Sequence, residues 1–191
     1  MPMGSPLKFG HEPGRWVACD YAVCPAILNE ILDNLEVVPE RDAFANKDNK
    51  RFEKWYGDGS PDGADAFEKN CGGELLWITP PFNFPRVLDK FVHKKAHAVI
   101  LVPKWTKHKF FWKSWGLAVD AVMVPKGAVM FQRNGKVQKV VPWDVYAFLV
   151  CGHVAPCLPC EVRGLPTPSL PPIEEEGGPK MKNGRRPPPT K

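Results

Sequence analysis

Two short apolar runs with a helical pattern between them set the tightest limit on the fold. ELLWITP (Glu74 to Pro80) and AHAVILVP (Ala96 to Pro103) carry too little polarity for strands with one wet face. Each predicts a strand covered on both sides. Between them, Pro85 to Lys94 puts Val87, Leu88 and Phe91 on one face, which predicts a helix. Strand, helix, strand is the parallel crossover unit. Lys107 to Trp115 then predicts a short aromatic helix, and LAVDAVMVP a further strand. A hairpin follows, with Asn134-Gly135 as its turn between AVMFQR and KVQKVV, and VYAFLVC closes the domain as a last strand. The expected class is α/β, a mostly parallel sheet to which the late hairpin adds antiparallel edges.

Upstream, Ile27, Leu28, Ile31, Leu32 and Leu35 recur at helical spacing, so Pro25 to Leu35 is expected to be a helix with proline in its first turn. EVVPERDAFA predicts a strand ending near Asp42. The polar, Gly-rich segment from Asn46 to Gly63 reads as a loop or a short irregular helix.

The chain has 191 residues, room for one domain with a sizeable core and loose ends. It has no run of about eighteen apolar residues, so no membrane partner is expected. Residues 1–15 are rich in Gly and Pro and lack an apolar secretory core, so they are expected to be a flexible N-terminus. The α/β domain is expected over residues 16–154, and a Pro-rich, basic, disordered tail over residues 155–191. Eight of the 27 residues from Leu165 onward are proline, and none is aromatic. The last twelve include Lys180, Lys182, Arg185, Arg186 and Lys191 and no acid. Nuclear-localisation signals, nucleic-acid arms and ordinary solvated tails share that pattern. The six cysteines, in a chain of this size, read as reduced thiols, so an intracellular and nuclear placement is the expectation.

Charge is unevenly divided. Glu30 to Glu74 holds twelve acids against six bases, whereas Arg86 to Lys113 holds eight bases against Asp89 alone. The basic stretch also contains Trp105, Phe110, Phe111 and Trp112. Lysines neutralise phosphates and aromatic faces hold bases, so Lys104, Trp105, Lys107 and Lys109 are the candidate contacts for DNA or RNA. The alternative is a solvated helix surface over aromatic core residues. Because Phe110, Phe111 and Trp112 are adjacent, at most two can face inward.

The segment LLWITPPFNF carries the most chemistry. A buried strand that runs straight into Pro-Pro-Phe presents stiff carbonyls and a ring at its carboxyl end, where open α/β sheets bind ligands. Leu75 to Phe82 resembles the (N/D)-P-P-(Y/F) segment of adenine-N6 DNA methyltransferases, especially the phage Dam-like group. The order DAFAN (Asp42 to Asn46), DGADAF (Asp62 to Phe67), GELLW-TPPF and LVPKW (to Trp105) is similar to the methyltransferase-like domain of DIRS-type retroelements. The resemblance covers about Ala26 to Trp115.

That resemblance implies a Rossmann-like methyltransferase sheet and S-adenosylmethionine as cofactor. It implies cofactor contacts at Asp42, Ala45 and Asp65. It assigns the catalytic positions to Thr79, Pro80, Pro81 and Phe82, with Phe82 stacking on a flipped adenine and the Pro81 carbonyl and residue 79 accepting from its amine. Two departures stand out. Residue 79 is threonine where the family has Asn or Asp, and no Gly-rich turn follows a strand. Two functions therefore stay open: a methyltransferase or a degenerate form of one, and a binding module on the same fold without turnover.

Cys151, His153, Cys157 and Cys160 have the spacing C-x-H-x3-C-x2-C, which suits a tetrahedral zinc ion. The competing reading is a small thiol ending an apolar strand. His93, His97 and His108 read as surface or phosphate contacts. No P-loop and no Ser-His-Asp signature is present.

Overall fold

The structure, a computed structural model, describes residues 22–57, 59–63, 66, 69, 71–79, 86–89, 94, 96–133, 136–152 and 162–165. In chain order its elements are β1 (Ala22–Val23), α1 (Pro25–Leu35), β2 (Arg41–Ala43), β3 (Lys54–Tyr56), β4 (Leu75–Ile78), β5 (His97–Pro103), α2 (Lys109–Leu117), β6 (Ala118–Val124), β7 (Val129–Arg133), β8 (Lys136–Val140), β9 (Val145–Cys151) and β10 (Arg163–Gly164). Residues 86–89 are also helical.

Seven strands form one mixed, mostly parallel sheet in the order β10-β6-β9-β5-β4-β2-β3. Strands β3, β2, β4 and β5 run parallel, β9 runs antiparallel to both of its neighbours, and β10 lies parallel to β6. The apolar runs behave as their composition requires. Leu76, Ile78, Ala98, Ile100 and Val102 point into one core with Val87, Leu88 and Phe111. Trp77, Val99 and Leu101 point into a second, with Ile27, Leu28, Ile31 and Leu35 of α1. Alternate residues of one strand thus serve two cores, which is why the interior of neither strand can spare a polar position.

Helix α1 starts with Pro25 in its first turn and ends at Glu36, which takes the left-handed conformation at φ 55°. The Val37 N–H returns to the Leu32 carbonyl at 3.2 Å and closes the helix. Phe111 anchors α2, its ring 5.6 Å from Tyr146 and 6.0 Å from Phe148. Phe111 is buried and Trp112 is 56% exposed, so the adjacent aromatics divide as a helix requires.

Three expectations are corrected. The hairpin β7–β8 does not extend the main sheet; it pairs with β1 in a separate three-stranded sheet. The antiparallel strand of the main sheet is β9, inserted between β5 and β6. Strand β9 carries apolar residues on both faces, Ala147 and Val145 in one core and Tyr146, Phe148 and Val150 in the other, so it belongs in the interior. The segment from Asn46 to Gly63 contains strand β3, whose Trp55 and Tyr56 are buried at the sheet edge. Three residues are too few for a period to register. Pairing also runs past Val154: β10 bonds to β6, and Leu165 is buried in the α1-side core. The Asn134-Gly135 turn and residues 1–21 lie outside the described residues.

Candidate functional site

Chain order sets where an open sheet leaves a crevice. The chain passes from β2 outward to β3, then crosses back over β2 to β4 and continues to β5. The direction of winding reverses between β2 and β4, and ligands bind beside the carboxyl ends of strands at such a point. A cleft lies there. It is lined by Ala22, Val23, Asp42, Phe44, Ala45, Asn49, Arg51 and Thr79 and is shallow, with room of its own for about one water molecule. Asp42, Ala45 and Thr79, singled out from two separate segments of the sequence, are thereby brought together.

The walls follow from local chemistry. Asn46 Oδ1 accepts from the Asp48 and Asn49 amides at 2.8 and 2.9 Å, and Asn49 Oδ1 accepts from the Asn46 amide at 2.7 Å. These reciprocal bonds fold the loop after β2. The Arg51 N–H then donates to Asp42 Oδ2 at 3.0 Å. Burial pushes the Asp42 carboxyl up to about 7, against the opposing pull of that backbone bond and of the Arg51 charge. The Arg51 guanidinium reaches the Gln132 side chain on β7, whose amide, turned to accept, takes both terminal nitrogens at 2.6 and 3.2 Å. Arg51 Nε is buried without a partner among the described residues.

Phe44, directly after β2, sits at φ 67°, a left-handed conformation that an aromatic residue takes only under constraint. The constraint is visible next door. Gly57 lies so close to Ala45 that a Cβ on it would stand 1.6 Å from the Ala45 carbonyl oxygen, while the Ala45 N–H bonds the Tyr56 carbonyl at 3.1 Å. Gly57→Ala must therefore push the cleft wall away. It is expected to destabilise the chain by about 3 kcal/mol, the upper end for overpacking, in denaturant titration. A change within about 0.5 kcal/mol would show that the wall yields freely.

Thr79 ends β4. Its Oγ1 accepts from the Trp77 indole N–H at 3.2 Å, so the hydroxyl is already a partner to a core residue. Pro80, Pro81, Phe82 and Asp65 lie outside the described residues.

The basic aromatic segment begins at the carboxyl end of β5, on the same edge of the sheet and one strand beyond β4. Lys107 and Lys109 are exposed, and among the described residues neither is ion-paired. Lys104 pairs with Asp144 at 3.4 Å, and Lys113 pairs with Asp89. Trp105 is half-buried, edge-on to Trp143 at 5.3 Å and to Phe110 at 6.1 Å. The other oxygen of Asp144 accepts the Lys126 amide at 3.0 Å. Trp143, Asp144 and Lys126 were not expected here. They arrive because β9 is antiparallel, so its first residues meet the last residues of β5 and β6. Only the sheet order carries that information.

At the opposite edge lies His97, read from the sequence as a surface or phosphate contact. His97 starts β5, faces Cys151 at the end of β9, and has Nδ1 3.0 Å from Cys151 Sγ. Of the proposed zinc ligands, Cys151 is described, whereas His153, Cys157 and Cys160 lie outside the described residues. No group of three metal-ligating side chains occurs among the described residues. No described helix is long and apolar enough to cross a membrane.

No protein-family model matches the sequence, and no curated protein or solved structure matches it.

Proposed function

We propose that the chain is a methyltransferase-like domain on a Rossmann-like sheet that handles DNA or RNA at the carboxyl edge of its parallel strands. The observation that carries this reading is the convergence of Asp42, Ala45 and Thr79 on one cleft at the winding reversal. The residues fit part of S-adenosylmethionine. Asp42 places a carboxyl at a strand end, where it could accept from a hydroxyl, and Ala45 lines the cleft beside it. When bound, the cofactor supplies an electrophilic methyl group. The chain's own part is to hold the cofactor at Asp42, and to hold an extruded adenine between residue 79 and the basic edge.

A specific observation favours the second reading, a binding module without turnover. The Thr79 hydroxyl is short and already accepts the Trp77 indole N–H, which engages it before any amine arrives. Calorimetry with S-adenosylmethionine separates the two. Micromolar binding that Asp42→Ala abolishes supports the enzyme, and no heat leaves the module.

Both readings need a polyanion at the basic edge. Replacing Lys104, Lys107 and Lys109 with alanine should flatten the slope of log affinity against log salt by about two to three units for duplex DNA. The lower figure applies because Asp144 already holds Lys104. Trp105→Ala should weaken single-stranded binding by roughly 1–3 kcal/mol at a nearly constant slope. Equal binding by wild type and triple variant would reduce the edge to a solvated surface.

A further inference from the structure

The basic edge carries a large aromatic side chain that the fold leaves outside. Trp112 on α2 is 56% exposed, and among the described residues Val38 is the one other large hydrophobic so placed. The ring is held all the same. Its indole N–H donates to the Thr106 carbonyl at 2.8 Å, in the loop between β5 and α2. Phe111 meets it edge-on at 5.2 Å, and Trp115 lies 6.4 Å away. The polar atom of the indole is thus satisfied within the chain, and what faces solvent is ring. On a helix Lys109, Trp112 and Gly116 fall within about 60° of one another, with Lys113 adjoining. All four are exposed. A Cβ at Gly116 would meet nothing within 4 Å, so the surface one turn beyond the ring is open.

Building on nucleic acid as the proposed ligand of this edge, we infer that Trp112 is a second base-stacking surface beside Trp105, and that the edge takes single strands in preference to duplex. A ring standing out of a helix stacks only on a base whose face is free, and inside a duplex both faces of each base are covered by its neighbours. The charge around the ring suits one strand's phosphates. No acid occurs from Lys104 to Leu117, and among the described residues Lys107 and Lys109 have no ion pair. Lys109 stands in the first turn of α2, where the helix dipole disfavours a cation, so an arriving phosphate relieves a local conflict. Trp105 is half-buried against His108, Phe110 and Trp143, whereas Trp112 presents the open ring. Thr106, which holds the Trp112 indole, follows Trp105 directly, so one loop carries both rings.

The test uses the full chain and fluorescence anisotropy with labelled probes of equal length at physiological salt: oligo(dT), its duplex with oligo(dA), and an abasic deoxyribose-phosphate strand. Wild type should bind oligo(dT) more tightly than either of the others. Trp112→Ala should weaken oligo(dT) binding by about tenfold and leave the abasic strand and the duplex within about twofold of wild type. Trp112→Phe keeps a ring and should recover most of the loss, with thermal melting of both variants as the check on folding. The abasic strand separates stacking from charge, since it offers phosphates without bases. Duplex bound as tightly as oligo(dT) overturns the inference. So does a folded Trp112→Ala that binds oligo(dT) as wild type does, and if the triple lysine variant still loses affinity, the polyanion edge stands without it. A wild-type chain that binds none of the probes overturns both.

Discussion

Between pH 4 and pH 8 the folded chain is expected to lose up to about 4 kcal/mol of stability through one carboxyl, Asp42. The group is 4% exposed and its pKa is raised from 3.8 to about 7, chiefly because burial penalises the charged form. Between those two values the folded state holds a proton that the unfolded state has released, so raising the pH favours unfolding. The favourable contribution is whole below about pH 4 and gone above about pH 7. Three units at about 1.4 kcal/mol each give the figure. Asp42→Asn keeps an oxygen to accept the Arg51 amide and removes the titration. The variant should therefore be more stable than wild type at pH 8 by about 2–4 kcal/mol, with the gap closing towards pH 4. Comparing the two proteins at each pH cancels the other carboxylates. A gap independent of pH would mean that Asp42 ionises normally in the folded chain. The same titration bears on the cleft: a cationic ligand there should bind more tightly as pH rises from 6 to 8.

Elements with a long period were legible in the sequence, and short or context-dependent ones were not. Helix α1 and strands β4, β5, β6 and β9 each bury enough side chains in a fixed rhythm to announce themselves. Strand β3 has three residues, and it forms because Arg41, Asp42 and Ala43 offer an open edge to pair with. The hairpin was legible but its partner was not. It pairs with β1, and the Cys24 N–H bonds the Met130 carbonyl at 2.8 Å, a contact that links the start of α1 to β7. In the cleft, Asp42, Ala45 and Thr79 stood out through their strand ends. Arg51 did not. It lies nine residues past Asp42 in a polar loop, and its backbone amide rather than its charge makes the bond. Asp144 and Trp143 likewise depend on β9 running antiparallel between two parallel neighbours, a property of the sheet and not of either segment.

If the chain transfers methyl groups as proposed, Thr79→Asn is expected to raise the rate of adenine methylation by about a hundredfold. In wild type the hydroxyl accepts the Trp77 indole N–H, so the atom that would meet the amine is short and already engaged. An asparagine oxygen stands one bond farther from the backbone. It can accept from an amine at the strand end, and a preorganised acceptor that meets developing positive charge is worth on the order of 3 kcal/mol. The exchange has a cost in the core, since Trp77 is fully buried and its indole loses the hydroxyl. Thr79→Val isolates that cost: it keeps the shape, removes the acceptor, and should destabilise the chain by about 1–3 kcal/mol. Rates are read with S-adenosylmethionine and an adenine-containing oligonucleotide, at saturating cofactor. A faster Thr79→Asn variant beside a Thr79→Val variant with no turnover would assign position 79 to the amine. If Thr79→Asn binds cofactor as wild type does and transfers no methyl group, the strand end does not orient an amine, and the edge serves nucleic-acid contact alone.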